Sequence, residues 1–397
     1  MIYRRFGRTE LRMPVVTCGG MRFQHQWQDV PLAEIPADKQ QNLKACVMRA
    51  LELGMHHIET ARGYGSSERQ LGAFLPDLPR DEILVQTKVA PGKDPKEFVR
   101  EFHDSLGRLG LDYVDLFALH GVNDREVLDW SVRPGGCLAA ARELQREGKV
   151  RHVGFSTHGP PDVILDAVRC DRDGGFDYVN LHWFYIYQCN WPAVEEAARR
   201  DMGVFIISPN DKGGRLYEPP KKLCDLTAPL HPIVFNDLFC LSHPQVHTLS
   251  IGVTRPGDFD LHADAVDLLG DAGRILPPIG ERLERALRDA VGEELMDPFG
   301  LNLPTWGQTP GGINIPSILW LRNLAVAFDM VEYGKMRYNL LGSGGHWFPG
   351  NTAEKIDEVD LTEILADRPL AARVPGLLRE AHRILGAEPV KRLSQSD

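Results

Sequence analysis

At 397 residues, with 43% hydrophobic and 25% charged, the chain has material for one large core and more length than a single barrel uses. A formal charge of -10 without clustered Lys and Arg argues against a nucleic-acid partner, because phosphate backbones are met by dense cation patches. No run approaches the roughly 20 apolar residues of a membrane span. The opening MIYRRFGRTELRMP lacks a signal peptide's apolar segment, and the seven cysteines form no CxxC pair, so a cytoplasmic chain without disulfide framework or thiolate metal site is expected.

In chain order, short β-branched runs alternate with stretches of helical period. Strands are predicted at 14–19 (PVVTCG), 55–59, 83–88, 114–120, 151–156, 178–183, 204–208 and 247–252. Helices are predicted between them, for example over DKQQNLKACVMRALELG, KEFVREFHDSLGRLG and PGGCLAAARELQREGK, the last ending near Gly148. Eight strand-then-helix repeats in about 260 residues fit a (β/α)₈ TIM barrel, an α/β fold, better than an open doubly wound sheet. No GxGxxG follows the first strand, which weakens the dinucleotide-fold alternative. Two segments stand outside the repeat: a loop at 23–38 and everything after about residue 270. The expected domains are therefore a barrel over 1–270 and a small helical C-terminal domain over 271–397, with helices in SILWLRNLAVAFDMVEYGKMRYNLL and VPGLLREAHRILG.

Barrel chemistry comes from the C-terminal ends of strands. Glu59 closes the second predicted strand, Tyr64 follows in ARGYG, Lys88 closes the third and His120 the fourth. Each alone is more often a solvated terminus, a loop anchor or a core histidine; together on successive strands they converge on one rim. At these residues the chain resembles the aldo-keto reductase superfamily. Its acid, T-A and tyrosine signature reads here as Glu59-Thr60-Ala61-Arg62-Gly63-Tyr64, continued by GSSERQLG, and its strand-end lysine and histidine fall on Lys88 and His120. SLGRLGLDYVDLFALH, GKVRHVGFSTHG and the Ser-Pro of IISPNDKGG extend the resemblance over Tyr3 to about Asp267.

The resemblance implies an oxidoreductase that reduces an aldehyde or ketone by hydride transfer from NADPH. Hydride addition to a carbonyl leaves an alkoxide, so a proton donor is required. Tyr64 takes that role, its phenol tuned by the Lys88 cation, with Glu59 holding Lys88 and His120 orienting the carbonyl. Glutamate stands where the family usually has aspartate. The implied cofactor contacts are Gly20, Ser156, Thr157, Asn180, Ser208, Gly252, Thr254 and Arg255. Thr157 replaces a usual asparagine, Ile207 a frequent aromatic, and Leu261-His262 a Glu-Asn pair. A guanidinium suits a 2′-phosphate, so Arg255 favours NADP over NAD.

Within the superfamily the chain is similar to a subset with a C-terminal ferredoxin-like domain. PGGINIP is present at 310–316, but no cysteine follows Cys240, so no iron–sulfur cluster is expected and the domain reads as a degenerate helical scaffold. Trp347, in the GSGGHWFPG segment, is a candidate substrate contact. The expected partner is a small-molecule carbonyl substrate, and homo-oligomerisation stays open. Two other readings compete: an NADP-binding sensor with little turnover, and a metal-dependent hydrolase using His57, His120, His182 and Glu59.

Overall fold

The computed structural model describes residues 1–343, 349–388 and 390. Contacts divide the chain into two compact units, one of residues 1–213 and 233–272, the other of 214–232 and 273–392.

The first unit opens with an antiparallel hairpin, β1 (Tyr3–Arg5) and β2 (Arg12–Pro14), in which Tyr3 faces Pro14. The barrel strands follow: β3 (Val16–Gly19), β4 (His57–Glu59), β5 (Leu84–Val89), β6 (Val114–His120), β7 (Val150–Ser156), β8 (Tyr178–Leu181), β9 (Gly203–Ile207) and β10 (Thr248–Gly252). All eight pair in parallel and close in the order β10-β3-β4-β5-β6-β7-β8-β9. The fold is therefore the (β/α)₈ barrel that the repeats predict.

Two strand ends differ from the sequence reading. Pro14 has no N–H to give a parallel ladder and pairs in the hairpin instead, so the first barrel strand begins at Val16. The sixth ends at Leu181 rather than 183, because Phe184 bridges Tyr187 and turns the chain away.

Local chemistry sets the connecting helices. Helix Pro95–Leu109 starts where the Asp94 carboxylate accepts from the Lys96 amide at 2.9 Å, with Pro95 at the first helical position. It ends at Gly110, whose φ of 65° is the left-handed stop. Its buried Phe98, Phe102, Leu106 and Leu109 recur at helical spacing. The hairpin closes the opposite end of the barrel from the strand C-termini, with Phe6, Met13, Leu116, Ala118, Tyr178 and Phe205 forming one buried cluster.

In the second unit, the helical stretch expected over 317–341 consists of two helices. Asp329, at φ 60°, breaks it into Ile315–Phe328 and Val331–Tyr338. Residues 214–232, inside the span assigned to the barrel, group with this unit: Arg282 donates to the Leu226 carbonyl at 3.1 Å and Lys222 to that of Val326 at 3.3 Å. Helix Val374–Leu385 covers the predicted VPGLLREAHRILG, and Tyr338 bonds His382 at 2.8 Å. Trp347 lies outside the described residues.

Candidate active site

Glu59 ends β4 and pairs in register with Gln86 of β5. The two-residue strand period then puts Lys88 on the same face, one step nearer the C-terminal end. The Lys88 ammonium contacts Glu59 Oε1 directly, donates to the Thr60 carbonyl at 2.8 Å, and reaches the Tyr64 hydroxyl at 3.2 Å. An ammonium has three protons, and all three are placed. The other Glu59 oxygen accepts from Ser250 of β10 at 3.0 Å, so the carboxylate is anchored across the barrel. Both charged side chains are almost fully buried, at 1% and 2% exposure. The extra methylene of glutamate is thus accommodated and keeps the ion pair.

Tyr64 is held by its turn. Gly65 has φ 54°, and a Cβ there would lie 2.0 Å from the Gln26 carbonyl, so only glycine lets the 23–38 loop cross the turn. That crossing brings Trp27 edge-on to the Tyr64 ring at 6.4 Å, while His120 meets the ring edge-on at 5.6 Å from β6. The four strand-end residues therefore do converge, with an aromatic neighbour that the sequence reading left in an unassigned loop.

Burial dominates the titration of this cluster. It pushes the Tyr64 phenol above its ordinary value and the Lys88 ammonium well below its own. It also brings the His120 imidazole down to about 3, helped by the Lys88 and Lys212 charges. Tyr64 and His120 are therefore neutral near pH 7, the phenol keeping its proton. Burial thus sets the direction of the phenol's shift, with the Lys88 ammonium at 3.2 Å from its oxygen.

A cleft opens beside Tyr64 and Glu59, lined also by Ile207, Ser208, Asn210 and Gly252. Ser208 adopts φ 52° there. Ser156, at the end of β7, accepts from the Gly121 amide at 3.2 Å, and Asn180 lies beside it on β8. The Asn180 amide is fully buried with no hydrogen-bond partner on either atom. An orphaned buried amide fits a ligand carboxamide, which offers one acceptor and two donors.

Other expected contacts are already committed within the chain. The Thr157 hydroxyl donates to the Val122 carbonyl at 2.7 Å and accepts from the Gly159 amide at 2.9 Å, which leaves it no proton to offer. Gly20 packs against the acid: its amide donates to the Glu59 carbonyl at 2.7 Å, and a Cβ would stand 2.7 Å from that oxygen. Thr254 and Arg255 are bound by Asp258. Ser250, Asn210, Trp27 and Asp258 escaped the sequence reading; the alternation of Thr248, Ser250 and Gly252 on one face of β10 is the signal that points to Ser250. Among the described residues no three His, Cys, Asp or Glu side chains are grouped to share a metal, so His57, His120, His182 and Glu59 do not form such a set. His57 instead bonds Thr17 at 2.8 Å inside the barrel.

These features define the class: a parallel (β/α)₈ barrel with a polar cluster at its C-terminal strand ends. Residues 15–193 match the profile of the aldo/keto reductase family. Over those residues the chain is similar to the aldo-keto reductase superfamily. It is similar to the L-glyceraldehyde 3-phosphate reductase of Escherichia coli K12, at 27% identity over 176 residues, 40% of this chain and 46% of that one. It is similar also to the NADH-specific methylglyoxal reductase of the same organism, at 26% over 197 residues, 42% and 56%. The match thus spans about half the length of these relatives. The barrel fold is shared with an aldo-keto reductase from Klebsiella pneumoniae solved with NADPH, at TM-score 0.55 and 20% identity, covering 70% of this chain and 95% of that one. Among the described residues no helix is long and apolar enough to cross a membrane.

Proposed function

We propose that the protein is a carbonyl reductase in which Tyr64 delivers the proton that completes reduction of an aldehyde or ketone. The observation that carries the reading is the Tyr64 hydroxyl, protonated by burial, on the cleft and 3.2 Å from the Lys88 ammonium. A reduced nicotinamide dinucleotide supplies hydride to the carbonyl carbon when bound. The chain handles the rest. Tyr64 gives its O–H proton to the carbonyl oxygen as negative charge develops there, so the alcohol forms and a phenolate remains. Lys88 stabilises that phenolate, Glu59, itself anchored by Ser250, holds Lys88 in place, and neutral His120 orients the carbonyl oxygen as a hydrogen-bond donor. Asn180, beside Ser156, would hold the nicotinamide carboxamide.

The Klebsiella pneumoniae neighbour was solved with NADPH, one curated relative is NADH-specific, and the Arg255 side chain that would favour NADPH is engaged by Asp258. The substrate class taken here is a small aldehyde or ketone, as in the names of the relatives. We read the second unit as a helical scaffold.

The test pairs binding with turnover. Quenching of the seven tryptophans by NADH and NADPH measures the nucleotide, and loss of reduced-nicotinamide absorbance with a panel of aldehydes and ketones measures reduction. Tyr64→Phe is expected to keep nucleotide affinity within about twofold and to lower kcat by about 10² or more, the usual worth of a positioned acid. Binding without turnover for any carbonyl would favour a nucleotide sensor.

A further inference from the structure

The loop after β10 is where the cofactor reading, on which this inference rests, places the adenosine phosphate. Four of its donors are already engaged by Asp258, although the Arg255 side chain stays 81% exposed. One oxygen of the Asp258 carboxylate accepts from the Thr254 amide at 3.0 Å, the Thr254 hydroxyl at 3.1 Å and the Arg255 amide at 3.2 Å. The other oxygen accepts from Arg255 Nε at 2.8 Å. The loop's outer side is pinned too, since Asn42 donates to the Thr254 carbonyl at 2.8 Å. Burial works to raise the Asp258 carboxyl, but the bonds from Arg255 and Thr254 hold it below the ordinary carboxylate range, so it is an anion at neutral pH.

We propose that Asp258 is a specificity-determining residue that occupies, as a built-in anion, the seat a 2′-phosphate would need, so that this chain takes NADH in preference to NADPH. A phosphate arriving at Thr254 and Arg255 meets a carboxylate that already accepts from four donors. To use those donors it must break the bonds, and at the exposed edge of the Arg255 guanidinium it still meets a like charge close by. A bare 2′-hydroxyl faces neither obstacle and finds an acceptor in the same carboxylate. A second adenosine contact of the family is altered as well. His262, at the position where the family carries asparagine, is buried and turned onto the buried Asp237, with Asn210 Nδ2 3.3 Å from its other ring nitrogen. The adenosine end therefore offers no compensating contact from that residue.

The exchange of interest is Asp258→Asn. The amide oxygen still accepts from the loop N–H groups, while the negative charge goes and the NH₂ faces the Arg255 guanidinium, releasing it. Tryptophan quenching with NADH and with NADPH, on the native protein and the variant, reads both affinities. The expected result is NADH binding about tenfold or more tighter than NADPH in the native protein, with NADPH affinity rising about tenfold in the variant and NADH changing less than about threefold. A purely structural cap would weaken both nucleotides alike, and that result overturns the proposal. So does a native protein that prefers NADPH; either result leaves the nicotinamide site standing. Binding of neither nucleotide by the native protein overturns the cofactor reading itself and this inference with it. Should the variant not fold, competition by adenosine 2′,5′-bisphosphate and by AMP against NADH on the native protein decides the matter. The proposal requires AMP to compete and the bisphosphate to compete about tenfold less well.

Discussion

The Glu59–Lys88 pair is the residue on which the site turns, and its burial sets the sign of what mutation does. Two charges at 1% and 2% exposure are tolerable only as a pair, because either alone would face a low-dielectric interior unpaired. Glu59→Gln or Lys88→Met should each destabilise the fold by about 3–5 kcal/mol, whereas the double variant should recover most of that loss. Urea unfolding of the three variants measures the coupling, and additive losses would show that the pair is not coupled. Tyr64→Phe gives the contrast: it removes only a hydroxyl at 3.2 Å from Lys88 and 3.4 Å from Glu59, so stability should hold while turnover falls. Glu59, Tyr64, Lys88 and His120 were legible in the sequence because each sits at or just after a strand end with a chemistry that an apolar strand does not need. Asp258 and Asp237 were not legible, since an acid in a loop or a helix reads as solvated until a fold brings donors to it.

At the scale of elements, the hairpin does what no sequence periodicity announces. Strands of three residues are too short to show alternation, and Pro14 read as the start of a barrel strand. Yet the hairpin places Phe6 fully buried against Tyr178, with ring centroids 5.7 Å apart, and a Cβ on Gly203 would sit 2.6 Å from the Phe6 ring. The glycine at the start of β9 is thus small to admit that ring. Phe6→Ala should cost about 3–5 kcal/mol, the range for emptying an aromatic core site, while leaving nucleotide affinity within about twofold, because Phe6 is at the far end of the barrel from Tyr64. Thermal or urea unfolding read beside nucleotide quenching separates the two effects. A matched loss of affinity would mean that the closed end governs the strand register at the site. The main helices were read within a few residues because caps and apolar spacing specify them locally; the break at Asp329 was not, since a left-handed aspartate carries no signal within a helical pattern.

For the molecule as a whole, buried histidines make acid the sensitive direction. Burial, with the charges of His56 and Lys88, lowers His57 to about 3, and burial lowers His247 to about 4, where an ordinary histidine titrates at 6.5. Between those values the unfolded chain binds a proton that the folded chain refuses. Stability therefore rises with pH across that interval and is lost as pH falls from 6.5 toward 3. His57, fully buried, contributes a slope of up to about 1.4 kcal/mol per pH unit, and the partly exposed His120 and His247 contribute less. Glu68, raised by burial, opposes this trend, because its folded form keeps a proton that the unfolded carboxyl gives up. Comparison with a histidine variant isolates the term. Urea midpoints of the native protein and of His57→Gln, taken between pH 7 and pH 5, should diverge in slope, the native protein falling more steeply as acid is added. The variant starts lower, having lost the bond to Thr17 at 2.8 Å, but declines less. Parallel slopes would mean that His57 takes up its proton in the folded barrel, which requires an anion or water within reach of its inner ring nitrogen, an atom now without a hydrogen-bond partner.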